Sequence, residues 1–405
     1  MHILFLSSWF PHPPDNGARM RTWNLLRQMA RHHEIALLSF VQNEPRQDDL
    51  DAVSSFCRVL GTVTQRRFRP SRPRAILRLL SPQPRAVLEM YHPQMAKLIH
   101  QAIHQHSFDL IIASEIGPGV SAAPYLMDLD SLPRVIEDLE LSMIWNQLQM
   151  QSSWSGRIRH SLTWWKQKRY AVRLLHSVEG CTVASEQEGA LLRRLSPDFE
   201  PLSVVPNGLD LELYAGDWGA PETGTLVFSG ALTYQANFDA MAFFLQDIWP
   251  LIRSAQPGVT LRITGRTDGV PLAQLPLTEG VILTGYLKDI RPTIAKSQIC
   301  VVPLLTGGGT RLKILEAMAL GTPVVATSRG AEGLEAVPGT HLIIADEPAG
   351  FAAAVLSLLV DERLRAKLTA HGRQLVQECY SWERCAHQLE ELLRKAVVQR
   401  QKGHD

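Results

Sequence analysis

The residues whose types and spacing most clearly suggest chemistry lie at 303–325, in the stretch PLLTGGGTRLKILEAMALGTPVV. Its three glycines allow the backbone to approach a ligand closely, and the first amides of a following helix would point their N–H groups at that ligand. Arg311 and Lys313 lie in the first predicted turn of the helix, where the helix dipole disfavours cations. A bound anion such as a diphosphate would resolve this conflict.

A single carboxylate, Glu316, follows Lys313 at a distance of about one helical turn. One acid in this place suits a bidentate contact with a vicinal diol, such as the 2′- and 3′-hydroxyls of a ribose. Diphosphate and ribose together indicate a nucleotide. The alternative is structural, with glycines that only turn the chain and a Glu316–Lys313 pair on one helix face. The glycines precede no Gly-Lys-Ser/Thr, which excludes a P-loop, and a dinucleotide fingerprint is also absent.

The elements that must position these residues are predicted to be strands alternating with helices. Short apolar runs bounded by polar or turn residues are typical of buried parallel strands. The runs cover 2–8, 35–40, 109–114, 134–138, 180–185, 225–230, 259–265, 280–285, 298–304, 323–327 and 341–346. The pattern predicts an α/β protein of two doubly wound Rossmann-like domains that face each other across a cleft. Ligands of such sheets bind at the carboxyl ends of the strands.

A chain of 405 residues is too long for one ordinary core, which also favours two domains. The stretch 206–224 is rich in Gly, Pro and Asp and has little periodicity. We therefore predict a first domain over 1–205 and a second over 206–381, with the helical segment 382–405 packing back on the first.

The bulk composition excludes several classes of protein. A net charge of +1 excludes a global polyelectrolyte, and five scattered cysteines without a Cys-x-x-Cys pair favour reduced thiols in a cytoplasm over a zinc site or a disulfide framework. The start, MHILFLSSWF, predicts a buried strand and not a signal peptide. No apolar run is long enough to suggest a membrane-spanning helix.

The stretch GGGTRLKILEAMALGTPVVAT resembles the nucleotide-sugar signature of the retaining glycosyltransferases of family 4, which have the GT-B fold. Further resemblances, in family order, lie in FLSSWFPHPPDNGARMRTWNLL, PNGLDLELY, FSGALTYQANFDAMAFF, ITGR, LTGYLKDI and CYSWE. The resemblance implies transfer of a sugar, with retention, from a nucleoside-diphosphate sugar to a glycan, lipid-linked or small-molecule acceptor. It further implies a role in surface polysaccharide or glycoconjugate synthesis, an acceptor-binding first domain and a donor-binding second domain.

The resemblance also implies roles for single residues. Glu316 matches the glutamate that binds the ribose hydroxyls, and Gly17 matches a glycine near the reacting phosphate and the acceptor. The predicted catalytic residues are Gly17, Asp138, Arg311 and Lys313. The predicted donor site comprises Gly230, Arg266, Gly285, Tyr286, Leu287, Gly307, Gly308, Gly309, Thr310, Arg311, Leu312, Lys313 and Glu316. No metal or cofactor is expected, because the cations serve the phosphate.

The chain departs from the family pattern in two places. The first glutamate of the family's pair is Gly308 here, and the Arg and Lys that many relatives carry after the first donor-domain strand are absent from GALTYQAN. We expect Arg311 and Lys313, together with Arg266, to carry the phosphate charge instead. Two alternatives remain open: a nucleotide-sugar epimerase of the same architecture, and a non-catalytic nucleotide-sugar-binding homologue, which the missing glutamate motivates.

Carboxylates elsewhere allow two further hypotheses. Asp138 ends the apolar run RVIED at the predicted cleft, where it could contact the acceptor or simply cap a helix. Asp128 and Asp130 have the Asp-x-Asp spacing of metal-binding glycosyltransferases of another fold. Because that spacing also arises by chance and belongs to the wrong fold class, no metal site is predicted.

Two regions are strongly basic. Positions 52–88 contain eight arginines and no acid, and 157–173 contain six cations together with Trp164, Trp165 and Tyr170. Cations interleaved with Trp suit the headgroups of an anionic membrane, although a solvated surface explains them equally well. No nucleic-acid motif accompanies them, so nucleic acid is not an expected partner. The predicted location is the cytoplasm, either free or peripheral at the inner membrane face.

Overall fold

The computed structural model describes residues 1–65, 78, 81–114, 122–151, 153–307 and 310–402. The chain divides into two compact units. Unit 1 comprises Met1–Asn207 and Trp382–Asp405, and unit 2 comprises Gly208–Ser381. The acceptor and donor roles assigned to the two predicted domains stay predictions.

Unit 1 is built on a seven-stranded sheet in the order β3-β2-β1-β4-β5-β6-β7. All its neighbouring strands are parallel. The strands are β1 (His2–Ser7), β2 (Glu34–Val41), β3 (Arg58–Thr64), β4 (Leu110–Ser114), β5 (Arg134–Glu137), β6 (Gly180–Val183) and β7 (Leu202–Val204). Every residue of β4, β5 and β6 is buried, as expected for central strands covered on both faces.

Alternate residues of β1 belong to different cores, because successive side chains of a strand point to opposite faces. Leu4 and Leu6 pack in one core, whereas Ile3 and Phe5 pack in another with the C-terminal helix Trp382–Lys402. The other helices of unit 1 are α1 (Gly17–Met29), α2 (Gln47–Ser54), α3 (Arg85–Met90), α4 (Pro93–Gln105), α5 (Ser142–Gln149), α6 (Trp154–Leu175) and α7 (Glu186–Leu195).

Unit 2 is built on a six-stranded sheet in the order β10-β9-β8-β11-β12-β13, again with parallel neighbours. Its strands are β8 (Glu222–Ser229), β9 (Thr260–Thr264), β10 (Val281–Gly285), β11 (Ser297–Val302), β12 (Val324–Ala326) and β13 (Ile343–Ile344). Its helices are α8 (Gln235–Phe243), α9 (Trp249–Ala255), α10 (Arg291–Ala295), α11 (Leu312–Leu320), α12 (Pro348–Val360) and α13 (Glu362–Cys379).

The predicted fold class, two doubly wound parallel α/β sheets, is confirmed. The sequence did not predict β3 and β7. Both are edge strands; β3 is mostly half-exposed and β7 has only three residues, so neither presents the continuous apolar run of a central strand. Among the described residues, no helix is long and apolar enough to cross a membrane.

Candidate functional site

The strand order of unit 2 reverses between β8 and β11, and ligands of doubly wound sheets bind at the carboxyl ends of strands at such a point. Gly230 directly follows β8, and the segment from Gly307 into α11 follows β11. A Cβ on Gly230 would lie 2.7 Å from Asn237 Nδ2 and 3.0 Å from Lys313 Nζ. The fold therefore brings the predicted donor residues Gly230 and Lys313 together.

Lys313 Nζ donates a hydrogen bond of 2.7 Å to Asn237 Oδ1 and lies 4.3 Å from the centre of the Phe228 ring. Asn237 is oriented by its own Nδ2, which donates to the carbonyl of Ala231. Burial lowers the pKa of Lys313 from 10.5 to about 8. This ammonium thus has a neutral hydrogen-bond partner in a poorly hydrated place, where an anion would stabilise its charge.

Glu316 lies one turn further along α11, and its Oε1 accepts a 2.9 Å hydrogen bond from the hydroxyl of Tyr214. Burial raises the pKa of Glu316, whereas Tyr214 and Lys313 act to lower it. Lys313 and Glu316 therefore have separate partners, and not the pairing with each other that their spacing allowed. Tyr214 fixes the orientation of the Glu316 carboxylate, which suits a group that must accept hydrogen bonds from two hydroxyls of a ligand.

Arg311 is the N-cap residue of α11, just before the first turn in which the sequence placed it. Its Nη2 donates to the carbonyls of Gly307 and Arg329, both at 3.0 Å, and lies 3.8 Å from Glu332 Oε2. Burial lowers the pKa of Arg311. In this structure the guanidinium fastens the loop after β11 to the segment after β12, so its contacts are with the loop that would hold the phosphate.

The predicted glycine loop falls only partly within the described residues. Gly308 and Gly309 lie outside them. Gly307 has a φ of 108°, a conformation that favours glycine. Thr310 precedes the helix, and its carbonyl accepts from the amide of Leu312, the first helical residue.

Three residues of the predicted donor site lie at or just after the end of β10, and Arg266, predicted to carry phosphate charge, follows β9. Gly285 ends β10 with a φ of 68°, and there is open space where a Cβ would be. Tyr286 is exposed, and the Arg266 guanidinium lies 5.4 Å from the centre of its ring. Leu287 is half-buried. Arg266 thus stacks on Tyr286, and this pair offers a surface on which a planar base can stack.

A second polar cluster lies in unit 1, where Asp138 follows β5. Its φ of 62° is unusual for a residue other than glycine. Its amide donates to Thr182 Oγ1 at 3.0 Å, and its Oδ2 lies 3.3 Å from Arg21 Nε. The helix-cap alternative is wrong, because α5 begins at Ser142 with Leu141 as its N-cap.

Arg21 of α1 is the centre of this cluster. It is fully buried, its Nε lies 2.6 Å from Glu137 Oε1, and its Nη1 donates to Asn207 Oδ1 at 3.0 Å. Burial raises the pKa of Glu137 to about 7, and Arg21 opposes that rise. The predicted catalytic Gly17 begins the same helix and is exposed, with open space where a Cβ would be.

Two further carboxylates lie near Asp138. Burial raises the pKa of Glu140 to about 7, and the charges of Asp138 and Glu188 add to this effect. Glu188 accepts from the amides of Leu141 and Ser142, and so holds the start of α5. The cluster can accept hydrogen bonds from hydroxyl groups of a ligand.

Sequence reasoning missed the partners that orient these groups: Arg21, Asn207, Tyr214 and Asn237. Asn237 is one of three polar residues in α8, with Gln235 and Asp239, so its type alone carried no signal of this role. The Asp-x-Asp hypothesis gains no support, because Asp130 pairs with Arg134 at 2.9 Å. Within the described ranges, no group of three His, Cys, Asp or Glu side chains is placed to hold a metal.

Residues 223–361, which contain Asn237, Lys313 and Glu316, match the family model described as Glycosyl transferases group 1. Sucrose-phosphate synthase from Thermosynechococcus elongatus has a similar structure, with a TM-score of 0.66 and 16% identity over 98% of this chain and 100% of that chain. Anabaena HepE in complex with UDP gives a TM-score of 0.66 and 16% identity over 97% of this chain and 100% of that chain. The chain has the GT-B fold of glycosyltransferases.

The resemblance to GT-B glycosyltransferases is confirmed, whereas family 4 and the retaining mechanism stay predictions. The phosphatidyl-myo-inositol mannosyltransferase of Mycobacterium leprae is 29% identical over 195 residues, which cover 46% of this chain and 51% of that protein. The chain thus spans about half the length of the curated relatives it matches.

Proposed function

We propose that this GT-B chain transfers a sugar from a nucleoside-diphosphate sugar to a hydroxyl group of an acceptor. One observation carries the proposal: Lys313 and Glu316 lie on successive turns of α11 where the sheet order reverses, each tied to a neutral side chain. The ammonium suits a diphosphate, and the carboxylate suits ribose hydroxyls. The complex of the similarly folded HepE with UDP supports a nucleotide as the ligand.

The chemistry requires stabilisation of a leaving group. The acceptor oxygen bonds to the anomeric carbon as the bond from that carbon to the diphosphate breaks, and the diphosphate oxygen takes the acceptor's proton. The negative charge on the diphosphate grows in this step, so Lys313 stabilises the transition state more than the bound substrate. Arg311 positions the glycine loop around the same charge. Attack on the face that the diphosphate leaves retains the anomeric configuration, and these cations make a metal unnecessary.

The cluster in unit 1 is proposed to bind the acceptor. Asp138 is held in a backbone conformation that costs about 1–3 kcal/mol, and such strain persists mainly at functional sites. Asp138 and Glu140, both half-buried, present carboxyl oxygens suited to sugar or inositol hydroxyls, while the buried Glu137 binds Arg21. The name of the mycobacterial relative, a phosphatidyl-myo-inositol mannosyltransferase, supports a glycoconjugate acceptor and a role in glycolipid or polysaccharide synthesis.

A transfer assay tests the proposal. The chain is incubated with UDP- and GDP-sugars and with a panel of phosphoinositide and glycan acceptors, and release of the nucleoside diphosphate is measured. We expect release that depends on the acceptor, survives EDTA and is lost in Lys313→Met. Lys367→Met, which changes an exposed lysine of the same unit, serves as the control. NMR of the product gives the anomeric configuration.

The same assay separates the alternatives. Conversion of the nucleotide sugar without any acceptor would indicate an epimerase or a hydrolase. Nucleotide binding without turnover, across the whole panel, would indicate the non-catalytic homologue.

A further inference from the structure

The face of α6 that points away from the core of unit 1 carries apolar side chains. Trp154, Ile158, Leu162 and Trp165 are 80%, 51%, 46% and 45% exposed. Their separations of four, four and three residues place them along one side of the helix, where they form a continuous row, the α6 stripe. Residues of other faces of α6, such as Tyr170 and Leu174, are buried in the core of unit 1.

The α6 stripe is surrounded by positive charge. The helix contains six Lys and Arg residues and no acid, and five of these cations are exposed or half-exposed: Arg157, Arg159, Lys168, Arg169 and Arg173. The Arg169 guanidinium lies 5.0 Å from the centre of the Trp165 ring, so one cation sits on the α6 stripe itself. Burial, and secondly the charge of Arg85 on α3, lower the pKa of Lys166, so α3 adds to the positive potential.

The structure changes which tryptophans can face a partner. The sequence suggested Trp164 and Trp165 together. Trp164 instead packs against the core, with its ring centre 5.0 Å from that of Trp145. The outward-facing rings are those of Trp165 and Trp154. Most arginines of the other basic region, 52–88, lie outside the described residues.

We propose that the α6 stripe docks unit 1 onto an anionic lipid bilayer, with α6 lying in the plane of the headgroups. An apolar stripe that includes Trp and is flanked by cations without acids is typical of interfacial helices. Tryptophan rings partition to the headgroup level, and the cations match anionic lipids. Docking is reversible and does not depend on the proposed transfer activity, so each can be tested without the other.

Co-sedimentation of the full chain tests this inference. Vesicles of phosphatidylglycerol and phosphatidylcholine are compared with vesicles of phosphatidylcholine alone, across a range of salt concentrations. Binding should require phosphatidylglycerol and fall steeply as salt screens the cations. The double variant Trp154→Ser/Leu162→Ser should bind roughly tenfold or more weakly, because it removes the apolar insertion.

Matched variants distinguish an effect of the α6 surface on vesicle binding from an effect of the chain's net charge. Arg159→Glu/Lys168→Glu should weaken binding by roughly fivefold or more for each cation lost. Arg363→Glu/Lys367→Glu makes the same change in net charge on residues of unit 2 and should leave binding nearly unchanged. Leu251→Ser/Val360→Ser, which alters exposed apolar residues of unit 2, is the control for the α6 stripe.

Several results would overturn the inference. These are equal recovery with neutral and anionic vesicles, no recovery with either, or equal losses in the stripe variants and their controls. A measurement on the unmodified chain guards against misfolded variants, because brominated lipids should quench tryptophan fluorescence when the α6 stripe inserts. Binding to an oligonucleotide or to another protein, without quenching by these lipids, would also count against it.

Discussion

Replacing the buried Lys313 with Met should make the ligand-free chain more stable and nucleotide binding weaker. The lowering of the Lys313 pKa from 10.5 to about 8 means that its charged form costs roughly 3 kcal/mol at neutral pH. Asn237 loses a hydrogen-bond partner in the variant, which destabilises the fold by about 1 kcal/mol and partly offsets this gain. The free energy of unfolding at pH 7 should therefore rise by roughly 2 kcal/mol.

The pH dependence has a definite sign. The folded chain binds the Lys313 proton more weakly than the unfolded chain does, so the free energy of unfolding of the wild type rises with pH between about 8 and 10.5. The advantage of Lys313→Met should shrink through this range. Affinity for UDP or GDP should fall by about 1.5–3 kcal/mol at neutral pH, the contribution of a hydrogen bond to a charged group. In the wild type this affinity should itself weaken as pH rises through about 8.

Urea denaturation at about pH 7 and about pH 10.5, with and without nucleotide, measures the stability effects, and calorimetric titration measures affinity. The exposed Lys367→Met variant controls for loss of charge in the same unit. A Lys313→Met variant that is less stable than the wild type without ligand, or that binds nucleotide as tightly, would refute the inference that an anionic ligand stabilises the buried charge of Lys313.

Three further predictions concern the other site residues. Glu316→Ala should weaken nucleoside diphosphate binding by about 1.5–3 kcal/mol with the fold intact, whereas Tyr214→Phe should have a smaller effect because it removes only the orienting hydrogen bond; unchanged affinity by titration would remove Glu316 from the site. Arg311→Ala should lower turnover more than nucleoside affinity, because the carbonyls of Gly307 and Arg329 lose the hydrogen-bond donor that joins their two segments. Full turnover in steady-state kinetics would indicate that the phosphates bind nearer to Arg266. Asp138→Asn keeps a residue type that tolerates a φ of 62° but removes the charge beside Arg21, so turnover should fall while the fold is kept, and unchanged turnover in steady-state kinetics would remove Asp138 from the acceptor site.

The positions of most strands along the chain could be predicted because central parallel strands are apolar runs bounded by turns. The edge strands β3 and β7 could not, because half-exposed or very short strands lack that signal. The positions of Lys313 and Glu316 on one helix could also be predicted from the sequence, since local spacing decides which residues share a helix.

The partners of these residues could not be predicted, because they come from distant parts of the chain. Asn237 is 76 residues from Lys313, and Tyr214 is 102 residues from Glu316. Arg21 and Glu137 are 116 residues apart. Only the packing of the sheet and its helices brings such pairs together.

We propose that a nucleoside diphosphate binds at the carboxyl ends of β8 and β11, with its phosphates on Lys313 and its ribose on Glu316. The most direct test is a crystal structure of the chain with UDP or GDP, whichever binds more tightly by titration. We predict a phosphate oxygen within hydrogen-bonding distance of Lys313 Nζ and both ribose hydroxyls on the Glu316 carboxylate. A nucleotide bound elsewhere in the chain, or bound here with its ribose turned away from Glu316, would contradict it.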